Sequence, residues 1–326
     1  SSSFTHTLTY TFGSLSGTIS TKTTATTVNW TPALTMANQL PNATSGTGTL
    51  KCTTYSGNTA VGSKSITITL KVPTTVVPSL TSLMAARVNG TVPSSWGIYV
   101  QTKSKATLTI NGAAGSYGST ITGYSITGGG FSSTSSSFTT GFLNTSGTIT
   151  FTATVTDSRG RTSAAKTVSI SVVAYSAPSF ASYLSQRCNS SGTVTNDGTY
   201  VRGLVDFTYS SCSSKNTITT ATYYKKSSAT SWTNASKAFS DNTAFTFGGS
   251  LTTESSYDIK YILTDAFTTI SVIDTVSTAS VVMDFKAGGT GVAIGKVAEN
   301  NGFDVDMATE FRSTVKIDGT ATFGGD

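Results

Sequence analysis

Tandem β-sandwich modules with no helical domain are what this sequence predicts, and three observations predict them. Of 326 residues, 50 are Ser and 65 are Thr while only 11% are charged; Thr favours strands, and Ser, Thr and Gly are poor helix formers. Apolar residues recur at every second position with hydroxyls between, as in Thr7-Leu8-Thr9-Tyr10-Thr11-Phe12 and Ser65-Ile66-Thr67-Ile68-Thr69-Leu70, the period of a half-buried strand. The chain also repeats itself: Val77-Pro78-Ser79-Leu80 through Arg87 matches Ala177-Pro178-Ser179-Phe180 through Arg187, with Pro, Ser and Arg at the same offsets. A unit of about 100 residues with about seven short strands is what an immunoglobulin-like or fibronectin-like sandwich requires.

Each element follows in order. Residues 1–73 read as a first sandwich, closing on Leu50 to Tyr55, the turn Ser56-Gly57, and Ile66 to Val72; Thr35 to Leu40 fits one helical turn. Residues 74–176 read as a second, with Ala106 to Ile110, the turn Asn111-Gly112, Phe151 to Val155, Thr156-Asp157, then Thr167 to Val173. Residues 177–283 read as a third, with Ile259 to Leu263, Thr264-Asp265 and a strand from Ser271. Prolines at the junctions predict a semi-rigid rod rather than loose beads. Trp30, Trp96 and Trp232 are expected to fill cores, one large ring per module. Residues 284–326 change texture: Gly288, Gly289, Gly291 and Gly295 crowd one stretch, and alternation resumes around Phe303. A segment so short cannot close its own core. It reads as an oligomerisation segment or the start of a distal domain, its glycines marking a backbone packed closely against itself or a neighbouring chain. The Gly324-Gly325-Asp326 ending fits a longer chain.

Catalysis finds little footing. The single histidine, His6, sits in an alternating strand, and there is no Asp or Glu before Asp157 to orient it, so a catalytic triad is not expected. Acids downstream are spread singly, against the paired carboxylates of a glycosidase. Cys52, Cys188 and Cys212 lack zinc spacing. Cys188 and Cys212 would pair if their strands are adjacent, and otherwise remain thiols. Asp304 and Asp306 share a strand face and could meet a calcium ion with Asp284, although solvated carboxylates explain them more simply. Gly291-Val292-Ala293-Ile294-Gly295-Lys296 has three residues between its glycines, not the four of a phosphate loop, and Val297 stands where Ser or Thr is needed. The reading is therefore a non-enzyme without cofactor or metal.

Charge says where partners lie. Residues 1–156 carry seven cations (Lys22, Lys51, Lys64, Lys71, Arg87, Lys103, Lys105) and no anion, within a net +6 for the chain. They are single and spaced, without a nucleic-acid motif, so no nucleic-acid partner is expected. No apolar run reaches the roughly 18 residues of a membrane span. Among aromatics, Tyr223-Tyr224-Lys225-Lys226 near Trp232 is the most exposed-looking cluster, and Tyr223, Tyr224, Lys226 and Trp232 are the candidates for glycan contact.

Three stretches resemble a known family. Asp284-Phe285-Lys286-Ala287-Gly288-Gly289-Thr290-Gly291-Val292-Ala293-Ile294-Gly295-Lys296 with Phe303-Asp304-Val305 is similar to a motif of tail and baseplate-associated minor structural proteins of phages that infect Gram-positive bacteria. Asn89 through Val100 with Lys103-Ser104-Lys105-Ala106, and Phe4 to Tyr10, resemble repeat units of the same family. The resemblance implies an extracellular virion fibre or spike of immunoglobulin-like modules. It also implies self-association, usually as a homotrimer, other tail or baseplate proteins as partners, and a host-cell surface glycan as receptor. It carries no catalytic residues. The alternatives are a bacterial surface adhesin or cell-wall stalk binding glycans, or an accessory module of a carbohydrate-active enzyme.

Overall fold

A computed structural model describes residues 4–88, 90–278, 282–286, 288–295, 298 and 301–305, together with isolated residues near the C-terminus. The chain is all-β, built of tandem β-sandwich modules, and falls into two compact units, Ser1–Tyr175 and Ser176–Asp326. No helix among the described residues is long and apolar enough to cross a membrane.

The first unit begins with strands β1 (Phe4–Phe12), β2 (Leu15–Thr23), β3 (Ser45–Ser56) and β4 (Thr59–Lys71), antiparallel in the order β2-β1-β3-β4. Register puts Leu8, Tyr10 and Phe12 beside Cys52, Leu50 and Gly48, and these beside Lys64, Ile66 and Ile68, so one face is largely apolar and the other is Thr and Ser. Residues 1–73 were expected to form two facing sheets; among the described residues they form one. The segment between β2 and β3 does the covering instead: Trp30 stacks on Tyr10 at 5.0 Å, and a 3₁₀ turn at Leu34–Gln39 buries Met36 and Ala37. Its C-cap Leu40 and the ring of Phe12 fill the space over Gly46 and Gly48, where a Cβ at Gly48 would lie 2.7 Å from the Thr11 carbonyl. Cover reaches only one end, and Ile66 stays 56% exposed.

The rest of that unit is a sandwich. Strands β5 (Ser82–Arg87), β7 (Ala106–Asn111) and β10 (Ser137–Thr139) form one sheet, in the order β10-β7-β5. The other contains β6 (Tyr99–Val100), β8 (Ile121–Gly128), β9 (Phe131–Ser133), β11 (Gly147–Asp157) and β12 (Lys166–Val173), in the order β6-β12-β11-β8-β9. In β7 Ala106, Leu108 and Ile110 are buried and the residues between are not; they meet Phe151, Ala153 and Val155 of β11 in one core. Strand alternation alone produces this division, because the core face must be dry and the hydroxyl face satisfies itself with water and with cross-strand pairs such as Thr107 to Thr139.

The second unit repeats the plan. Strands β13 (Ser179–Cys188), β14 (Tyr200–Thr208) and β17 (Phe245–Gly248) pair as β13-β14-β17. Strands β15 (Thr219–Lys226), β16 (Thr233–Asn234), β18 (Tyr257–Thr264) and β19 (Thr269–Val276) pair as β16-β15-β18-β19. The core rings are Phe207, Phe239, Phe247, Tyr257 and Tyr261, and the Tyr261 hydroxyl meets Ser185 Oγ at 2.7 Å. None of the three tryptophans is buried, against the expectation of one per core. Phe and Tyr fit between two sheets, whereas Trp30 covers Tyr10 on a single sheet and Trp232 lies beside Lys225 and Lys260. Strands β20 (Met283–Phe285), β21 (Gly291–Ile294) and β22 (Gly302–Val305) then form a small sheet, β21 antiparallel to β20 and parallel to β22.

Repetition in the sequence has a physical content. Arg87 donates to the carbonyls of Val92 and Ser94. Its counterpart Arg187 donates to those of Gly198, Thr252, Ser255 and Ser277, and burial lowers its pKa. Each pins loops to the start of its module. Asp157 and Asp265 close the late hairpins: Oδ1 of Asp157 accepts the N–H groups of Arg159 and Arg161, and Oδ1 of Asp265 those of Phe267 and Thr268.

Candidate functional site

Two surfaces merit a functional reading, and both follow from strand parity. In β15 neighbouring side chains point to opposite faces. Tyr224 lies opposite Ile259 and its ring is 6.2 Å from Phe247, so it belongs to the core side. Lys226 shares that parity and stands opposite Tyr257. Tyr223 and Lys225 face outward, opposite Lys260 and Asp258. Of the four residues expected to contact glycan, the fold brings together Tyr223 and Trp232 and turns Tyr224 and Lys226 away.

Trp232 returns over the outer face from the loop between β15 and β16. Lys260 Nζ lies 4.3 Å from the Trp232 ring centroid and 5.3 Å from that of Tyr223, and Lys225 Nζ lies 5.3 Å from Trp232. Lys225 also pairs with Asp258 at 2.9 Å and donates to the carbonyl of Ala229 at 2.8 Å, which fixes the loop that carries the indole. Hydrogen bonds from Ser227 and Lys225 hold the Asp258 carboxyl below its usual pKa. The result is a platform of two rings, two ammonium groups and a carboxylate on a rigid sheet. It suits recognition through stacking and polar contact. Lys260 and Asp258 were not legible as members, because only register places them opposite Tyr223 and Lys225.

The second surface is the C-terminal sheet. Phe285, Val292 and Phe303 form one row across it, and Met283, Ile294 and Val305 form the next, all on one face. Phe285 is 69% exposed, Phe303 66% and Met283 54%. Asp284, Ala293 and Asp304 form the opposite row. Ala293 there is fully buried, and Asp284 Oδ2 accepts the Ala298 N–H at 2.8 Å. The acid-bearing face is thus partly covered by its own chain, while on the apolar face Met283, Phe285 and Phe303 are exposed and Val292, Ile294 and Val305 are half-buried. Gly288 and Gly289 have φ of +92° and +69° with open space where a Cβ would go. Their positive φ serves a turn, and among the described residues no close approach within the chain requires them. Gly291 pairs with Gly302 in the sheet, and Gly295 follows β21 with φ of +79°.

Other candidates resolve simply. His6 Nδ1 lies 3.0 Å from Thr54 Oγ1 and 3.9 Å from Cys52 Sγ, a cross-strand contact without a carboxylate. All three cysteines are free thiols; burial raises the pKa of Cys188 and Cys212. No group of three His, Cys, Asp or Glu side chains among the described residues is placed to hold a metal; Asp306, the third member of the calcium expectation, lies outside them.

The family described as siphovirus protein of unknown function (DUF859) matches residues 1–312, and the chain belongs to that family. No curated protein matches the chain. Among solved structures it is similar to the FN1-FN3 domains of chicken CNTN1, at 9% identity over 71% of this chain and 77% of that one, with a TM-score of 0.26. It is also similar to domains A168-A170 of titin, at 12% identity over 72% and 75% of the two chains, with a TM-score of 0.32.

Proposed function

We propose, taking membership of this siphovirus family as the premise, that the chain is a virion structural component, a fibre or spike subunit of the tail tip or baseplate that presents or performs attachment to the host cell. The observation that carries the reading is the family match over nearly the whole chain. The architecture supports it: tandem sandwiches with hydroxyl outer faces present a sparsely charged surface suited to display rather than chemistry. The role is non-enzymatic. Host-surface glycan is the partner for the Tyr223, Trp232 and Lys260 platform.

Self-association runs through the C-terminal sheet. Two largely bare Phe rings, of about 150–250 Å² each, sit beside Met283 on one face, and a contiguous apolar patch of several hundred Å² marks an interaction surface. A second copy would cover it with the same residues. Homotrimers of this kind would join other tail or baseplate proteins.

Immunogold labelling of intact virions with antibody to residues 82–173 tests the placement: labelled tails are expected, and labelled cells with bare virions would reject it. Solution mass of the full chain tests association, with an oligomer expected and a shift towards monomer in Phe285→Ser/Phe303→Ser. Binding of the full chain to host cells should fall when surface glycan is stripped and in Trp232→Ala.

A further inference from the structure

The edge of β14 is finished differently from the matching edge of β7 in the second module. In β7 the Ile110 N–H donates to a backbone carbonyl, that of Ser136, at 2.9 Å. In β14 the pairing with β17 stops at Gly203, and the Phe207 N–H donates at 2.8 Å to a side chain, Oδ1 of Asp241. Asp241 belongs to the segment 239–242, which is pinned to both sheets. The Asn242 N–H donates to the Val205 carbonyl of β14 at 2.8 Å. On β15, Thr220 Oγ1 accepts the Phe239 N–H at 2.8 Å and donates to the Phe239 carbonyl at 2.7 Å. A carboxylate reaches further than a backbone carbonyl, so the segment stands off from the strand, and a cavity of about 620 Å³ opens there.

Its lining includes Phe207, Tyr209, Ile218, Phe239, Ser240 and Asp241, and no lysine or arginine. Phe207 and Phe239 are buried and meet edge-on at 6.0 Å, which makes a fixed apolar floor. Tyr209 is 39% exposed and offers its ring to a ligand. Asp241 is exposed, and its carboxylate is held in place through Oδ1; among the described residues no cation pairs with it. The nearest cation along the chain, Lys237, is exposed and is not part of the lining. Asp206 lies between buried residues of β14 and so faces the other way. The volume falls within the roughly 300–1,000 Å³ of small-molecule sites, which combine apolar walls with a few placed polar groups. A single carboxylate beside rings selects for charge: a cation gains from the carboxylate and from a Tyr face, whereas a neutral sugar would leave most of the apolar wall unmatched.

We propose that this cavity binds an organic cation, a primary amine carried on an aryl or short alkyl body, with Asp241 Oδ2 taking the ammonium group and Phe207, Tyr209 and Ile218 the body. The site shares no residue with the Trp232 platform, and its occupancy is independent of the attachment role.

Calorimetric and NMR titration of the full chain with phenethylamine, phenethyl alcohol, methylamine and glucosamine tests it. Saturable binding of phenethylamine is expected, with shifts centred on Tyr209, Ile218 and Asp241. The alcohol, alike in shape and without charge, should bind at least about tenfold more weakly. Methylamine, a charge without a body, should show no saturable shift. Asp241→Asn keeps an oxygen for the Phe207 N–H and removes the charge, so it should bring the amine to the level of the alcohol, with the amide spectrum unchanged outside the cavity. Tyr209→Ala should cost about two- to fivefold in affinity. Asp206→Asn, which neutralises the carboxylate facing away, should leave the affinity as it was. Equal affinity for amine and alcohol, an amine affinity unmoved by Asp241→Asn, or no saturable shift overturns the site. Glucosamine binding as tightly as phenethylamine overturns the apolar body and leaves an amino sugar as the ligand.

Discussion

The late hairpins of the second and third modules share a plan and differ in one respect. Both are closed by an aspartate whose Oδ1 accepts two turn N–H groups, from Asp157 in one and Asp265 in the other. Asp265 adds a hydrogen bond from Asn216 Nδ2 at 3.0 Å, within its own module. The turn at Asp157 carries two guanidinium groups that reach the first module. Arg159 donates to the carbonyls of Ala37 and Leu40 as well as Ser116 and Tyr117, and Arg161 donates to those of Val72, Pro73 and Val76. Ser158 Oγ adds Pro41 at 2.6 Å. Where Arg159 stands, the third module has Phe267, which carries no guanidinium group. At this junction two guanidinium groups grip the backbone of the first module and of the linker after it.

Arg159→Ala breaks the comparison hardest. It removes the guanidinium donors from the carbonyls of Ala37 and Leu40 and takes from the buried Asp157 the cation beside it, Arg159 Nη1 lying 3.9 Å from Asp157 Oδ2. Removing one member of a buried charged pair costs about 3–5 kcal/mol, read as a lower urea midpoint for the first unit. Arg159→Lys should recover little, since an ammonium group cannot reproduce the planar fork; full recovery would mean that charge, not geometry, holds the turn.

Asp265→Ala comes next. It removes acceptors for two backbone N–H groups and for Asn216; a hydrogen bond to a charged group contributes about 1.5–3 kcal/mol, so a loss of at least about 2–3 kcal/mol is expected, read in the unfolding of the second unit. Arg161→Ala should cost about 1.5–3 kcal/mol, and unlike Asp265→Ala it should raise amide exchange in residues 72–76. Unchanged exchange there would show that Arg161 does not hold the junction.

Why these hairpins were half legible is instructive. The strand–turn–strand pattern and both aspartates stand out as repeats, because an internal turn imposes the same residue types each time. The targets of Arg159 and Arg161 do not, because they are backbone carbonyls and carry no residue code. Strand parity was legible everywhere, and it places Tyr223 outward and Tyr224 inward once β15 is known to be a strand. What covers an apolar face was not. The alternation of Leu8, Tyr10 and Phe12 fits either a second sheet or the Trp30 crossover, and that of Phe285 and Phe303 says nothing of their being bare.

The cysteines sharpen the comparison at smaller amplitude. Cys188 and Cys212 are buried in the second unit with raised thiol pKa values, while Cys52 is partly exposed in the first. A thiol-directed reagent at mildly alkaline pH should modify Cys52 well before the other two, since thiolate fraction and access both govern the rate. Denaturant should bring the other two into reaction together with unfolding of the second unit. Labelling of Cys188 or Cys212 at the rate of Cys52 in native buffer would contradict the buried positions.

The smallest effect is an acid limb on the second unit. Hydrogen bonds from Ser227 and Lys225 hold the Asp258 carboxyl below its ordinary value of 3.8. A depressed folded pKa adds stability that is complete above the unfolded value and disappears as pH falls through the folded one. The contribution of Asp258 is therefore whole near neutrality and lost on acidification below about pH 4. Asp258→Asn should flatten this limb while leaving the neutral-pH midpoint within about 1 kcal/mol, because the pair is only partly buried. Glu254, held low chiefly by the Thr253 hydroxyl, titrates in the same range, so Glu254→Gln is the matched control. If Glu254→Gln flattened the limb and Asp258→Asn did not, the ion pair behind the Trp232 platform would be idle in stability, and Lys225 would hold its loop through the Ser227 and Ala229 carbonyls.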